Sequence, residues 1–367
     1  MDMNDKGESV KTELLEVRMQ DGECRGEDLT RIQRAGEILK QGGLVAFPTE
    51  TVYGLGGDAL NPDSSRKIYA AKGRPSDNPL IVHIAELDAL AAITAEIPPA
   101  AWKLAEAFWP GPLTMILPKA DIVPKETTGG LDTVAVRMPS HGVALALIRA
   151  AGGYVAAPSA NTSGRPSPTK ASFVAEDLDG RIEMILDGGE VGIGLESTIV
   201  DLTVDPPQIL RPGYITQKML AEVLGEVAVD ATVLALAAGE DCAQAPRAPG
   251  MKYRHYAPKG QLTIVRGAES AVVDYINAQA RADREAGGKV GVIGTEELLA
   301  RYRADVVKSA GSRTDEATIA HRLYAILREF DEEQVTRIYS ESFSTDGLGQ
   351  AIMNRLLKAA GHQVVDV

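Results

Sequence analysis

The residues able to do chemistry gather in a few short segments, each set against an apolar run. In FPTETVYGLG, Phe47 to Gly56, a strand-like run ends at Pro48 and opens into Thr49, Glu50, Thr51 and Tyr53 before the glycines. Open α/β sheets place ligands in loops at strand ends, and a plain strand-to-turn transition does not account for so many hydroxyls beside a carboxylate. In AKGRPSDNPLIVHI, Lys72 and Arg74 follow a helical stretch and precede Asn78 and His83. A planar Arg fork and a Lys point charge on a rigid turn suit a polyphosphate. The same two cations would equally complement a helix C-terminus, and His83 within an apolar strand reads as readily as a satisfied core histidine. Thr133 and Arg137, in LDTVAVRMP, are four apart and share one face of an ideal strand, although a lone strand arginine is as easily a surface residue. APSANTSGRPSPT follows the run YVAAP and carries Ser159, Asn161, Thr162, Ser163, Ser167 and Thr169. So many neutral donors and oxygen acceptors can hold a phosphate or a nucleotide without a Walker loop; the alternative is a flexible Ser/Pro loop.

Other signals are weaker. Ser197 and Arg211 border apolar strands in DGGEVGIGLESTIVDL and ILRPG. Gly192–Ile193–Gly194 resembles part of a dinucleotide fingerprint, but a strand-like run follows where a helix is required, so that site is rejected. Gly347 and Gly349 are explained by helix initiation, and WPGPLT reads as a turn with Trp109 as a packing anchor. GxxxxGK[ST] and GxSxG do not occur, which excludes a P-loop NTPase and leaves no evident covalent nucleophile. No His/Asp/Glu cluster has metal-ligand spacing, so a divalent ion is expected to arrive with substrate phosphates, as Mg2+ commonly does.

These segments need a frame. Leu29, Ile32, Ala35 and Leu39 recur at helical spacing before Gly42–Gly43, and 64–72, 99–108, 141–151 and 216–224 are patterned alike. Strand-like runs stand at 14–19, 44–48, 80–84, 114–118, 133–138, 154–158, 182–186, 197–202 and 208–212. Some neighbouring strands are separated only by a turn, so the first domain is expected to be α/β with a mixed sheet. Residues 231–260 lack periodicity and read as a long linker; such segments are functional or disordered, and the run Tyr253, Arg254, His255, Tyr256 favours the functional reading. Beyond 261, strand-like runs at 262–267, 289–294, 304–309 and 334–340 alternate with helical stretches at 268–286, 295–303 and 313–332. A last helix, 348–360, leads into QVVDV. That rhythm is the signature of a doubly wound parallel sheet. The expected organisation is a leader over 1–24, a first domain over 25–230, a linker over 231–260 and a second domain over 261–367.

Bulk properties agree. A chain of 367 residues suggests two domains, and 44% hydrophobic with 24% charged residues is ordinary globular composition. Two distant cysteines, Cys24 and Cys242, exclude a disulfide scaffold and fit a reducing cytosol. The start, MDMNDKGESVK, has no apolar core and is not a signal peptide. No run approaches the roughly 18 apolar residues of a membrane span, so a cytoplasmic enzyme without membrane contact is expected. The net charge of −13 argues against broad nucleic-acid binding and leaves room for a local basic groove.

Taken in order, FPTETVYGLG, KGRPSDNPL, WPGPLT, VAVRMP, PSANTSGRPSPT, ESTIVD and ILRPG strongly resemble the YrdC-type threonylcarbamoyl-AMP synthase family. PGMKYRHYAP and GLGQAIMNRLLKAA are similar to its longer, two-domain form. The resemblance covers roughly 25–360. It implies a twisted mixed sheet around a positively charged concave groove, followed by a Rossmann-like C-terminal domain. It implies a reaction of ATP, L-threonine and bicarbonate or CO2, with Mg2+ delivered on ATP. The adenylate would pass to a tRNA threonylcarbamoyltransferase complex, with at most weak tRNA contact. By position, Thr51, His83, Arg137 and Ser197 would lie at threonine, Arg137 pairing its carboxylate. Lys72, Arg74, Asn78, Thr133, Ser159, Asn161, Ser167 and Arg211 would hold ATP or the adenylate. Lys72 and Arg74 would be catalytic, and Tyr253 would reach the nucleotide if the linker closes over the groove. Two other readings stand beside this one: a different carbamoyl-adenylate enzyme, and a double-stranded RNA-binding module without catalysis.

Overall fold

The computed structural model describes residues 10–19, 22–238, 248 and 256–367. The chain opens with β1 (Glu13–Glu16), α1 (Gly26–Lys40), β2 (Val45–Phe47), β3 (Gly54–Asp58), α2 (Pro62–Lys72) and β4 (Ile81–His83). Next come α3 (Leu90–Ile93), α4 (Pro99–Phe108), β5 (Leu113–Pro118), β6 (Thr133–Arg137), α5 (Gly142–Ala150) and β7 (Val155–Ala156). The first half closes with α6 (Ala171–Leu178), β8 (Met184–Asp187), β9 (Thr198–Asp201), β10 (Gln208–Arg211), α7 (Gln217–Leu224), β11 (Ala228–Val229) and α8 (Ala231–Ala238). The second half is β12 (Gln261–Arg266), α9 (Glu269–Glu285), β13 (Val290–Thr295), β14 (Val306–Gly311), α10 (Glu316–Glu332), β15 (Arg337–Glu341), α11 (Gly347–Ala359) and β16 (Val364–Asp366).

The first eleven strands form one mixed sheet, ordered β1-β8-β2-β3-β7-β4-β6-β5-β9-β10-β11. Its core follows the period-two rule of a strand. Leu44 and Ala46 pack on one face with Tyr53, Leu55 and Ile68, whereas Val45 and Phe47 pack on the other with Ile32, Leu39 and Leu147 from α1 and α5. Trp109 is buried in the first of these clusters, with its indole N–H donated to the Leu113 carbonyl at 2.7 Å, as a packing anchor should be. The remaining five strands form a wholly parallel sheet, ordered β14-β13-β15-β12-β16. The fold is therefore α/β, mixed in the first body and doubly wound and parallel in the second.

Several local expectations give way. The stretch 295–303 forms only a short 3-10 turn, Leu299–Arg301, not a regular helix. Both of its ends are pinned to one carboxylate: Glu341 accepts from the Thr295 N–H at 2.8 Å and from the Tyr302 hydroxyl at 2.9 Å. The segment read as linker opens with α8, whereas the strand read at 14–19 does form, as β1, and pairs in parallel with β8 at the sheet edge. β3 carries no β-branched or aromatic residue (GLGGD), yet it sits mid-sheet because its glycines let neighbours close in. A side chain at Gly56 would meet Phe47 and Val155 at 3.0 Å.

The two bodies are docked tightly. Val52 and Leu195 of the first pack into the hydrophobic cluster of α10 and α11. Gly194 has φ of 85° and lies under α10 so closely that a Cβ would come within 2.5 Å of the His321 carbonyl oxygen. Its place in the GIG triplet is thus explained by close backbone approach, not by a dinucleotide. Among the described residues no helix is long and apolar enough to cross a membrane.

Candidate active site

An open cleft of about 700 Å3 crosses the mixed sheet, lined from the β2–β3 loop, the end of α2 and its following turn, β4, the end of β6, the segment after β7, and the facing ends of β9 and β10. Local sequence places the first cations. Asn61 caps α2 by accepting from the Asp63 N–H, Pro62 starts the helix, and Gly73 ends it in the left-handed region at φ of 62°. Lys72 therefore lies in the last turn and Arg74 just beyond the reversal. Buried Lys72 donates its ammonium to the backbone carbonyls of Ser159 and Asn161, tying the end of α2 to the segment after β7. Burial, reinforced by Arg74, pushes its pKa well below the usual lysine value. Arg74 donates to the Asn78 and Pro79 carbonyls at 3.2 and 3.1 Å, and burial lowers it to about 10, so it remains a cation at neutral pH. Its Nε and both side-chain polar atoms of Asn78 are buried without a hydrogen-bond partner. Unsatisfied buried groups of this kind each cost about 1–3 kcal/mol and mark a place where a polar ligand would be welcome.

At the other end, β4 and β6 pair in parallel with His83 opposite Arg137. His83 donates Nδ1–H to the Ile81 carbonyl at 3.1 Å, with Phe47 edge-on to its ring. Burial and then the Arg137 charge depress its pKa to about 3, so the imidazole is neutral. Arg137 donates to the Thr51 hydroxyl at 3.0 Å. Its Nη2 stands 2.7 Å from a Glu50 carboxylate oxygen, but too poorly aligned for a hydrogen bond, so both groups stay unsatisfied in an ion contact. Hydroxyls relay from there: Thr51 and Thr49 are 2.9 Å apart, and Thr49 donates to the Val52 carbonyl at 2.7 Å. On the β9–β10 side Arg211 donates to the Ser197 carbonyl and hydroxyl, both at 3.1 Å, and Ser197 shares a 2.7 Å hydrogen bond with Thr114.

The fold thus brings Thr51, Lys72, Arg74, His83, Arg137, Ser159, Asn161, Ser197 and Arg211 into one cleft. Other sequence-named residues stand apart. Thr133 begins β6, four residues and ~13 Å from Arg137 along the strand, and does not line the cleft. Ser167 is buried behind it, donating its hydroxyl to Glu196 at 2.6 Å. Asn78 adjoins Arg74 through its carbonyl, and Tyr253 lies outside the described residues. Asn161 is largely committed to its own loop, accepting from Ser159 at 2.5 Å and donating to the Thr162 and Arg165 carbonyls.

Glu196 lines the cleft without having been singled out, and so does Tyr256, the last residue of the run 253–256 that favoured a functional linker. Glu196 is the one carboxylate among the described lining residues, against Lys72, Arg74, Arg137 and Arg211. A chain of net charge −13 therefore concentrates cations where a ligand would sit, as anion-binding clefts do. Burial pulls the Glu196 pKa up, but Arg355, Arg211 and the Ser167 hydroxyl outweigh it and hold it at about 2. Burial raises the pKa of Tyr256, whose ring stacks on Tyr324 at 5.1 Å. Arg355 and Tyr324 come from α11 and α10. One sequence signal could have found them: an arginine on an otherwise apolar helix face, as in AIMNRLLKAA. Among the described residues no cluster of three or more His, Cys, Asp or Glu could hold a metal ion.

Comparison with known proteins covers most of the chain. A family model described as telomere recombination matches residues 37–213, and one described as threonylcarbamoyl-AMP synthase, C-terminal domain, matches 215–361. The chain is 51% identical over 336 residues to the threonylcarbamoyl-AMP synthase of Bacillus subtilis, covering 91% of this chain and 94% of that one. It is 48% identical over 337 residues to that of Pyrococcus abyssi, covering 92% and 96%. The crystal structure of P. abyssi Sua5 complexed with L-threonine matches with a TM-score of 0.90 and 46% identity over 97% of this chain and 100% of that one.

Proposed function

Because the chain belongs to the two-domain threonylcarbamoyl-AMP synthase family, we infer that its cleft joins L-threonine, bicarbonate or CO2, and ATP in the following way. The reaction forms threonylcarbamoyl-AMP and releases pyrophosphate, together with water when bicarbonate is the carbon source. Threonine's amine takes up bicarbonate or CO2 to give a carbamate; a carbamate oxygen then attacks the α-phosphorus of ATP, and pyrophosphate departs. Little covalent help is needed from the protein, because positioning and charge neutralisation dominate such transfers.

The observation that carries this reading is the grouping of four cations and neutral His83 in one cleft, in a chain that matches a threonine-complexed structure over nearly its whole length. Arg137 would take the threonine carboxylate in line, relieving its misaligned contact with Glu50, with Thr51, His83 and Ser197 around the rest of the amino acid. Arg74, the unsatisfied Asn78 amide, Ser159 and Arg211 would hold the nucleotide. Lys72 would face the phosphates, whose negative charge would offset the burial that disfavours its ammonium. Asn161 and Ser167 would shape that half through Ser159 and Glu196, and no contact is assigned to Thr133. The one carboxylate among the described lining residues is already engaged by hydrogen bonds, and Mg2+ would enter as part of the substrate, on ATP. The product would go to a tRNA threonylcarbamoyltransferase complex in the cytoplasm.

Purified protein with ATP, Mg2+, L-threonine and bicarbonate, without tRNA, should yield a threonine- and bicarbonate-dependent AMP adduct by mass spectrometry, with matching pyrophosphate. Folded protein that gives neither would overturn the reading.

A further inference from the structure

Two side chains of the C-terminal body reach Glu196 in the wall of the cleft, and the geometry there gives them a task. We propose that Arg355 and Tyr324 are positioning residues for ATP: they clamp Glu196, so that this carboxylate of the cleft wall neither draws Arg211 from its post nor cancels the charge Arg211 presents to the nucleotide. The inference rests on the reading that this half of the cleft binds ATP.

Glu196 is 6% exposed, and its oxygens are filled largely from the second body. One oxygen accepts from Ser167 at 2.6 Å and from the Tyr324 hydroxyl at 3.2 Å; the other accepts from Tyr324 at 3.0 Å and from Arg355 Nε at 3.0 Å. Arg355, fully buried, also donates Nη1 to the Pro212 carbonyl at 2.7 Å, immediately after Arg211. One side chain of α11 thereby fixes both the carboxylate and the backbone beside the nucleotide-facing arginine. Arg211 meanwhile holds to Ser197, although it is near enough to Glu196 for each to influence the other's ionisation.

Without Arg355, Glu196 would be a buried charge lacking its ion-pair partner, a strongly unfavourable state. Arg211 is a cation at hand to compensate it, beside buried Lys358 of α11, which also feels the Glu196 charge. Turning toward Glu196 would cost Arg211 its bonds to Ser197 and set a carboxylate against the incoming triphosphate. Arg137, on β6, would be untouched and Ser197 would keep its bond to Thr114, so the loss should fall chiefly on ATP.

The test uses the full-length protein, with binding of a non-hydrolysable ATP analogue by calorimetry and threonylcarbamoyl-AMP formation as readouts. Arg355→Met should weaken analogue binding about tenfold or more and leave the threonine KM within about twofold. Arg355→Met combined with Glu196→Gln removes both charges and should bring analogue binding back to within about threefold of wild type. Unchanged analogue binding in folded Arg355→Met overturns the proposal, as does a double variant no better than the single. If the Arg355 variants do not fold, Tyr324→Phe decides: it keeps the ring, removes one donor to Glu196, and should weaken the analogue about threefold; no change overturns the idea. A wild-type chain that neither binds the analogue nor forms the adenylate overturns the functional reading itself, an outcome distinct from an active wild type with indifferent variants.

Discussion

At the scale of single residues, Arg137 and His83 show how one strand pairing sets two properties together. Their registration side by side on β6 and β4 puts a buried guanidinium against a buried imidazole, and burial, reinforced by the cation, keeps the histidine neutral. Arg137→Ala should raise the threonine KM at least about tenfold, because a charge-assisted bond to a carboxylate is worth roughly 1.5–3 kcal/mol; steady-state kinetics at saturating ATP would read this, and an unchanged KM would remove Arg137 from the amino-acid subsite. His83 makes stability depend on pH. Its folded pKa of about 3 lies below the ordinary 6.5, so between those values the unfolded chain binds a proton that the folded chain does not. Stability is therefore complete above pH 6.5 and is lost as pH falls toward 3, by at most about 1.4 kcal/mol per pH unit. Urea midpoints of wild type and His83→Gln across that window should converge in acid and separate near neutrality.

At the scale of elements, the β2–β3 loop is held by its own hydroxyls. Thr49 accepts from the N–H groups of Thr51 and Val52 at 3.2 and 3.3 Å and donates to the Val52 carbonyl, which presents Thr51 to Arg137. Arg137 can only donate and the Thr49 proton goes to Val52, so the proton of Thr51 points to Thr49. Thr49→Val preserves shape and removes that hub. A stability loss of about 1–2 kcal/mol is expected from the unsatisfied buried groups, together with a raised threonine KM; a midpoint shift by denaturation without a kinetic effect would mean the loop does not present Thr51 to substrate.

At the scale of the whole molecule, two fully buried arginines cross from the second body into the first. Arg328 donates to the Pro166 carbonyl at 2.6 and 3.0 Å and pairs with Asp177 at 2.9 Å, under the segment that carries Ser159 and Asn161. Breaking a buried pair from one side costs about 3–5 kcal/mol, so Arg328→Met should lower the thermal midpoint markedly. Buried pairs are screened little by salt, so raising NaCl should leave the wild-type midpoint nearly unchanged at this interface. A mild, salt-dependent loss would show instead that the bodies are held by their rims.

The sequence by itself determined the architecture and most of the cleft's contents. Alternating and 3.6-residue periodicities are local properties, and they located the strands and helices that frame the site. Capping chemistry at Asn61, Pro62 and Gly73 is local as well, and it put Lys72 and Arg74 on their turn. What the tertiary structure decided was what each polar group does. Ser167 faces Glu196 and Thr133 lies at the far end of its strand, because those outcomes depend on partners distant in the chain. β3 escaped detection since its glycines meet their neighbours, Phe47 and Val155 at Gly56 and Ile68 and Leu44 at Gly57, only once the sheet exists. The short turn at 299–301 likewise reflects Glu341, some forty residues downstream. The part played by Arg355 and Tyr324 was hidden for the same reason: a buried charge acquires its meaning from the group it neutralises, and Glu196 lies more than a hundred residues away in the other body.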